Sequence, residues 1–491
     1  MGWDTIIVGA GSAGCVLAAR LCEDPDHRVL LVEAGPDFDP EDLPEQVEYL
    51  GRGHGWPNEW GEEVVASDGR DLPYLRGRGV GGSSAINGGV AMRAEPADFE
   101  TWPRGWGWEE MLPFFCGLER DREFGHAEWH GDAGPVPIIR WPKEEWDPTQ
   151  QAFHDACLRE GIEDCPDHNA PETTGVGPIP MNRDGKRRLS AAITHLLPAR
   201  ARANLEIRGD ALVQRVRFEG RAARGIELVG GECLEADRVI LAAGVLQSPL
   251  LLWRSGIGPA DGLRSIEIEP RVDLPAVGAH WTDHMVVELA TPIDDHWVPR
   301  GARGIQNLAR ITAEGSPWSN DLQITPWLDR RSDGGYRLNL SVSLQQPFGE
   351  ARVIATSADA QERGRFEWPF PSEVRNVERL RFGYRQAVRI VSSAGVAAEP
   401  QTLDRIARQT DEELDGWIAA NHFAFYHGVG SCRMGESEDS ALDLNCAVRE
   451  TTGLYVVDAA SIPRVPRSNT HILVMAFAER MAALLRGHAA R

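Results

Sequence analysis

The sequence of 491 residues has little of what marks a secreted, zinc-binding or membrane-embedded protein. Its eight cysteines are scattered, with no CxxC pair and no cluster with histidine at zinc-ligand spacing. No apolar run approaches the roughly 18 residues of a membrane span, and the first residues lack the basic region of a signal peptide. We therefore predict reduced thiols, no metal site, no integral membrane segment and a cytoplasmic location.

Positive charge is also scarce: 51 lysine and arginine residues stand against 74 aspartate and glutamate residues, giving a net charge of -23. Such a protein repels phosphate backbones and anionic lipids, so we predict no nucleic-acid partner. The composition, 42% hydrophobic and 25% charged, is typical of a globular protein. Because 491 residues exceed the size of one compact core, we expect two domains or one large α/β domain with an inserted cap.

The clearest motif lies near the start of the chain, in TIIVGAGSAGCVLAARLCEDPDHRVLLVEAG. An apolar segment (5–8) leads through a glycine-rich turn into an amphipathic helix, and a second apolar segment (29–32) ends at Glu33, which is the pattern of a βαβ unit. The glycines of the turn are Gly9, Gly11 and Gly14. They allow a tight turn, close approach of a pyrophosphate and close helix packing, while Glu33 can accept hydrogen bonds from a ribose. The motif predicts a dinucleotide site; a purely structural turn is the alternative, and the motif alone does not separate FAD from NAD.

Three further stretches carry a family resemblance. The segment GRGVGGSSAINGGVAMRAEPADFETW (77–102) resembles the first signature of the glucose-methanol-choline (GMC) oxidoreductases. The residues that match are Gly77, Arg78, Gly81, Gly82, Ser83, Ser84, Ile86, Asn87 and Glu100. The segment GVLQSPLLLWRSGIG (244–258) is similar to the second signature, except that Val245 replaces a small residue. GLYVVDAASIPRVPRSNTHILVMAFAERMA (453–482) is similar to the closing flavin-binding element, so the resemblance covers nearly the whole chain.

The resemblance implies the α/β fold of that family, with a Rossmann-like FAD-binding domain and a substrate domain built on an antiparallel sheet. We predict that residues 1–140, 200–295 and 430–491 form the discontinuous FAD-binding domain. Residues 141–199 and 296–429 then form the substrate-binding or cap domain. The chain is short for the family and departs from its pattern mainly in the middle, so we predict a cap that is smaller than usual.

The middle of the chain changes to a period of two. In RLNLSVSLQQP four apolar residues alternate with polar ones, which predicts a half-exposed antiparallel strand. Together with ARVIATS, it predicts a sheet that is covered on one face and free on the other to roof a pocket.

Two histidines near the end of the chain are the candidate catalytic residues. Alcohol oxidation requires a hydride acceptor, a base for the hydroxyl proton and a group that holds the oxygen, and neutral histidine suits the base. The resemblance implies that His427 in YHGVGSCRMG is the general base and that His471 in NTHI orients the alcohol oxygen, with some sharing of the two roles. Taken alone, His427 beside Phe425 and Tyr426 could equally be a buried core residue.

The cofactor implied by the resemblance is FAD, held without a covalent bond, because Ile86 stands where some family members carry the linking histidine. The predicted cofactor-binding residues combine the two glycine-rich regions, the strand ends and the closing segment. They are Gly9, Gly11, Ser12, Ala13, Gly14, Glu33, Ala34, Gly79, Gly82, Ser83, Asn87, Gly88, Gly89, Val90, Val213, Ala243, Gly244, Asp458, Ala459 and His471. A turn residue tolerant of left-handed backbone is the alternative interpretation of Asn87.

Other histidines are predicted to be structural: His422 packs or supports the site, while His126 and His130 are loop residues without metal-like partners. We predict oxidation of a small-molecule alcohol, with oxygen or a quinone-like compound as electron acceptor. The aromatic run HFAFYH, with Trp327 and Trp417, favours a primary, apolar or aromatic alcohol. The alternatives are a hydroxynitrile lyase-like activity, in which the flavin stays oxidised, and a redox relay from a bulky donor.

Overall fold

The structure is a computed structural model that describes residues 2–50, 58–299, 304–368 and 373–487. In chain order its strands are β1 (Trp3–Val8), β2 (Val29–Val32), β3 (Glu62–Ala66), β4 (Asp71–Tyr74), β5 (Glu119–Asp121), β6 (Val136–Ile138), β7 (Gly175–Pro178), β8 (Arg183–Asp184), β9 (Arg187–Arg188), β10 (Leu205–Arg208), β11 (Val213–Glu219), β12 (Ala222–Leu228), β13 (Cys233–Leu241), β14 (Ile257–Gly258), β15 (Val272–Asp273), β16 (Met285–Ile293), β17 (Asn307–Ile311), β18 (Leu322–Arg330), β19 (Tyr336–Leu344), β20 (Val353–Ile354), β21 (Arg365–Trp368), β22 (Phe423–Ala424) and β23 (Leu454–Val456). Its helices are α1 (Ser12–Leu21), α2 (Glu45–Glu48), α3 (Trp108–Leu118), α4 (Pro148–Arg159), α5 (Leu197–Ala199), α6 (Gly244–Arg254), α7 (Ala260–Ser265), α8 (Val374–Ala394), α9 (Pro400–Ala407), α10 (Asp411–Asn421) and α11 (Thr470–Leu485).

A mostly parallel sheet forms the first layer of the fold. Its order is β10-β2-β1-β13-β12-β11, with β23 also paired to β13, and the pairs that involve β1, β2, β10 and β23 are parallel. Strand β2 is buried along its whole length, as expected for an apolar strand covered by helices on both faces. The predicted unit β1-α1-β2 is confirmed, and helix α11 packs against α1.

This sheet places four chain segments at one edge. Because β1, β2, β13 and β23 run in the same direction, the residues that follow them meet at their carboxyl ends, where α/β sheets bind ligands. Those residues include Gly9 after β1, Glu33 after β2, Ala243 after β13 and Asp458 after β23.

An antiparallel sheet of order β22-β16-β19-β18-β17-β7 forms the second layer. Helix α8 covers one face, where Gly383 lies against Val342 and Leu322. Strand β16 falls within the range 200–295 that was predicted for the FAD-binding domain, yet it is hydrogen-bonded throughout to β19 in this second sheet.

The prediction of a half-exposed strand at β19 is wrong. The strand is buried on both faces from residue 338 to 344, because its polar side meets the segment that leads into α11. Gln323, which is paired with Ser343 on that side, donates from Nε2 to the backbone carbonyl of Arg467 at 3.0 Å. The segment ARVIATS is not part of this sheet either, since β20 pairs with β21 in a separate four-stranded sheet.

Buried ion pairs hold the segment of residues 95–98 against strand β17 and against the segment that precedes α11. Arg467 contacts Asp98 at 2.8 Å between Nη1 and Oδ1, and Arg310 is paired with Glu95. These side chains are almost fully buried, so each charge depends on its partner for compensation. They anchor the segment before α11, and with it the end of the chain that carries His471.

None of the helices in the described ranges combines the length and the hydrophobicity that a membrane crossing requires. Within the same ranges, His, Cys, Asp and Glu side chains form no group of three or more that could hold a metal ion.

Candidate active site

A cavity of about 470 Å³ lies at the carboxyl edge of the parallel sheet and extends to the segments that adjoin β17 and β22 of the antiparallel sheet. It extends from the first glycine-rich turn to both candidate catalytic histidines, His427 and His471. Most of the predicted cofactor-binding residues line it. They are Gly9, Gly11, Ser12, Ala13, Glu33, Ala34, Gly82, Ser83, Asn87, Gly88, Val90, Val213, Ala243, Gly244, Asp458, Ala459 and His471.

Three predicted cofactor-binding glycines lie behind the cavity wall. A Cβ on Gly14 would lie 1.9 Å from the carbonyl oxygen of Gly9, so this glycine permits the close packing of α1 on the turn. Gly79 donates its backbone N–H to Glu33 at 3.0 Å, and Gly89 donates its own to the side chain of Asn87 at 3.0 Å. All three shape residues that do face the cavity.

The glycine-rich end of the cavity fits the adenosine and pyrophosphate of FAD. Gly9 has φ +101° and no room for a side chain, whereas a Cβ on Gly11 would meet nothing within 4 Å, so that backbone is open to a ligand at the start of α1. The carboxylate of Glu33 accepts three backbone N–H groups, from Ala10, Gly35 and Gly79. A carboxylate offers about four acceptor positions, so one remains for a ribose hydroxyl.

Asp458 joins the closing segment to helix α6. Its Oδ2 accepts from the backbone N–H of Gly244 at 2.7 Å and from Ser248 at 2.6 Å, while Oδ1 accepts from Ala460 at 2.7 Å. This arrangement fixes the cavity wall beside Ala459. Ile86, which has a hydrocarbon side chain, also lines the cavity, and the non-covalent attachment of FAD stays a prediction.

His427 is held by three groups that sequence reasoning did not identify. Its Nδ1 lies 3.0 Å from Nδ1 of His284, its Nε2 lies 3.0 Å from Nδ2 of Asn469, and its backbone N–H donates to Asp283 at 2.8 Å. Burial, together with the neighbouring His284 and Arg76, holds the pKa of His427 well below 6.5. The imidazole is therefore neutral at neutral pH, as a general base must be.

Asp283 fixes the backbone at the histidine pair. Its Oδ1 accepts from the N–H groups of both His427 and His284, and its Oδ2 accepts from the hydroxyl of Tyr74 at 2.6 Å. Arg76, on the cavity wall, donates to the same Tyr74 oxygen at 2.6 Å. Tyr426, just before His427, has φ +65°, an uncommon left-handed conformation for an aromatic residue that these hydrogen bonds hold in place.

His471 reaches the same cavity from the first turn of α11. Its Nδ1 lies 3.0 Å from the hydroxyl oxygen of Ser12, while its buried Nε2 has no hydrogen-bond partner among the described residues. Burial, followed by the nearby His195, lowers the pKa of His471 to about 4, so this ring is also neutral at neutral pH. The two candidate histidines therefore face one cavity, and Asn469 is the residue of the NTHI motif that contacts His427.

Of the three residues that contact His427 and were not predicted, only one left a signal in the sequence. Asn469 stands two positions before His471 in the same motif and could have been considered with it. Asp283 and His284 lie in WTDHM, which matches no spacing rule for catalysis, and they reach His427 only because β16 pairs with β22.

Several residues singled out from the sequence lie away from the cavity. His422 is buried at the end of α10, where Nδ1 donates to the carbonyl of Ala419 at 2.9 Å. Trp417 packs on Tyr384, and Trp327 donates to Ser341, so neither lines the cavity. His130 lies in a loop as predicted, but it is buried between the carboxylates of two other segments.

The chain is similar to proteins of one family along its whole length. Family models described as GMC oxidoreductase match residues 3–286 and 347–478. An uncharacterized GMC-type oxidoreductase of Rhodococcus erythropolis is 32% identical over 99% of this chain and 98% of its own, and an oxygen-dependent choline dehydrogenase of Vibrio vulnificus is 31% identical over 98% and 94%. The crystal structure of a pyridoxine 4-oxidase from Mesorbium loti superposes with a TM-score of 0.88, at 30% identity and with 100% of both chains covered.

Proposed function

The chain belongs to the GMC oxidoreductase family, whose FAD-dependent members oxidise alcohol groups, and we propose that it converts a primary, apolar or aromatic alcohol to the carbonyl compound with His427 as general base. The observation that supports this most directly is the neutral His427 imidazole on the wall of a cavity that also fits FAD. FAD supplies the hydride acceptor when it is bound.

Removal of the hydroxyl proton of the alcohol is assigned to His427. Its Nδ1 faces His284, so Nε2 is the ring nitrogen that a substrate hydroxyl can reach from the cavity. The hydroxyl takes the position beside Nε2 that the amide of Asn469 now fills. The O–H bond breaks, its proton moves to Nε2, and the oxygen keeps the electron pair.

The developing charge on the alcohol oxygen requires a hydrogen-bond donor. His471 is assigned this role because its Nε2 lies buried at the cavity without a partner among the described residues. For Nε2 to carry the proton, the hydroxyl of Ser12 must donate to Nδ1, from which it is separated by 3.0 Å. The displaced amide of Asn469 is a second donor. Such donors in a water-poor site stabilise the transition state more than the ground state.

The cavity wall near the base supports an apolar or aromatic substrate. Phe425, whose ring centroid lies 4.9 Å from that of His427, lines the cavity with Tyr426, and Val90 and Ile305 are further apolar residues of the cavity wall. Aromatic walls of this kind favour flat, apolar groups. The similar structure of a pyridoxine 4-oxidase, an enzyme named for an aromatic alcohol, supports the same class.

The substrate class is tested by supplying benzylic, aliphatic, sugar and choline alcohols to the purified holoenzyme and measuring carbonyl product. Parallel reactions with air or with a quinone-like dye identify the electron acceptor. We expect primary benzylic alcohols to give the highest kcat/KM, and a clear preference for sugars or choline would contradict the proposed class.

The role of His427 is tested with His427→Ala, which we expect to lower kcat by about 10² to 10⁴-fold. His126→Ala is the matched control, because His126 is exposed and lies outside the cavity. Equal activity of the two variants would contradict the assignment of the base.

A further inference from the structure

His284 is a fully buried histidine that the proposed proton transfer does not use directly. It lies immediately before β16, and its ring makes two contacts. Nε2 lies 2.7 Å from the backbone carbonyl oxygen of Pro466, and Nδ1 lies 3.0 Å from Nδ1 of His427. The rings of His284 and His427 meet edge to face, with centroids 5.1 Å apart.

These contacts determine where each proton lies. A carbonyl oxygen can only accept, so Nε2 of His284 must carry a proton. Burial lowers the pKa of His284 to about 4, so the ring is neutral at neutral pH and its Nδ1 has a lone pair instead of a proton. Because the two Nδ1 atoms are within hydrogen-bond distance, Nδ1 of His427 must be the donor.

The remaining nitrogen of His427 then follows. A neutral imidazole carries one proton, so Nε2 of His427 has a free lone pair. The neighbouring group agrees, since the amide Nδ2 of Asn469 is a donor and lies 3.0 Å from that nitrogen. The series of hydrogen bonds that runs from the Pro466 carbonyl through His284 and His427 to the Asn469 amide therefore has one consistent set of hydrogen positions.

We propose that His284 is a positioning residue that selects the tautomer of His427, so that the nitrogen facing the substrate is the one able to take its proton. This inference rests on the proposed function for its catalytic consequence, but the tautomer itself can be measured independently.

His284 also supports the charge that follows proton transfer. Once Nε2 of His427 has taken the alcohol proton, the ring is a cation whose Nδ1–H still donates to His284. Hydrogen bonds from a charged donor are roughly twice as strong as neutral ones. The positive charge is thereby shared along a path that passes through the fully buried His284 and ends at the carbonyl oxygen of Pro466.

Other charged and titratable groups around the pair have fixed roles of their own. Asp283 accepts from both backbone N–H groups and from the hydroxyl of Tyr74, Arg76 donates to that same hydroxyl oxygen, and Tyr426 precedes His427. Replacing His284 alone leaves these side chains in place, so a change in the pH profile can be assigned to the imidazole.

The direct test is nitrogen NMR of the holoenzyme grown with ¹⁵N-labelled histidine, with the His427 signals assigned by their loss in His427→Ala. We expect a pyrrole-like shift for Nδ1 and a pyridine-like shift for Nε2. The opposite pattern would overturn the inference, whatever substrate the enzyme takes. If the tautomer is as expected but His427→Ala keeps full alcohol oxidation, the proposed function fails and the tautomer assignment stands.

Two variants test the dependence on His284. His284→Leu removes the acceptor, so the His427 signals should show both tautomers and kcat should fall by about 10²-fold with KM changed by less than about threefold. His284→Asn places an amide oxygen near the former Nδ1, and we expect it to recover most of that loss and the single tautomer. Variants that keep the wild-type tautomer, kcat and pH profile would refute the role, as would a Leu and an Asn variant that are equally impaired in both tautomer and kcat.

Discussion

Replacing Asn469 with alanine should raise the pKa of His427 while leaving the histidine side chain itself unaltered. Asn469 donates to Nε2 of His427 at 3.0 Å, and only the neutral form of the ring can accept that bond. The bond therefore stabilises the unprotonated base and helps to keep its pKa low. Asn469→Ala removes it and leaves the ring, its burial and its contact with His284 unchanged.

The size of the effect follows from the energy of one hydrogen bond. A net contribution of about 1 kcal/mol, at about 1.4 kcal/mol for each pKa unit, moves the acid limb of kcat/KM to higher pH by about 0.7 pH unit. In the wild type the pKa of His427 lies well below 6.5, so kcat/KM should rise through that pKa and be level at neutral pH. The Asn469 amide is also proposed to donate a hydrogen bond to the alcohol oxygen, so the plateau value of kcat/KM should fall by about tenfold.

The assay is kcat/KM for one alcohol between pH 5 and 9, in wild type and variant. Asn421→Ala is the matched control, since Asn421 is exposed at the end of α10 and donates to the carbonyl of Trp417. An acid limb that stays in place, or that moves to lower pH, would refute the assignment of Nε2 as the base nitrogen.

Three further predictions concern the fold and the cofactor. Gly14→Ala should lower the free energy of unfolding by roughly 3 kcal/mol, because its Cβ would lie 1.9 Å from the Gly9 carbonyl oxygen; urea unfolding at the wild-type midpoint would contradict this. Glu33→Gln leaves at least one buried N–H group unpaired and should weaken FAD binding by at least about tenfold, measured by flavin fluorescence, with unchanged affinity as the contrary result. Arg467→Met should lower the free energy of unfolding, measured with urea, by roughly 3 kcal/mol at pH 7.5 and by less at pH 5. Burial raises the pKa of Asp98 to about 6, so its carboxyl is largely protonated at pH 5. Exposed Arg264→Met is the control for that urea experiment, and equal loss at both pH values would show that the Asp98 charge is not responsible.

The parallel layer was predictable because its signals are local. The strand at 29–32 has the bounds that its apolar run predicts, and Glu33 follows it directly at the cavity edge. The glycine spacing of the first turn likewise predicts the close packing at Gly9 and Gly14 and the open backbone at Gly11.

The immediate partners of the base were not predictable in the same way. His284 and His427 are separated by 143 positions, and their contact depends on the pairing of β16 with β22. The polar residues of β19 predicted exposure for a related reason: Gln323, which is paired with Ser343, donates to the carbonyl of Arg467, and that segment lies more than a hundred residues later in the chain.

The most direct test of alcohol oxidation by this site is a single turnover without air. A primary benzylic alcohol is added to the anaerobic holoenzyme, and the visible absorbance of the flavin is followed in wild type and in His427→Ala. We predict rapid bleaching in the wild type and a rate lower by about 10² to 10⁴-fold in the variant. Bleaching at the same rate in both would contradict His427 as the base, and an absorbance that no alcohol changes would contradict alcohol oxidation itself.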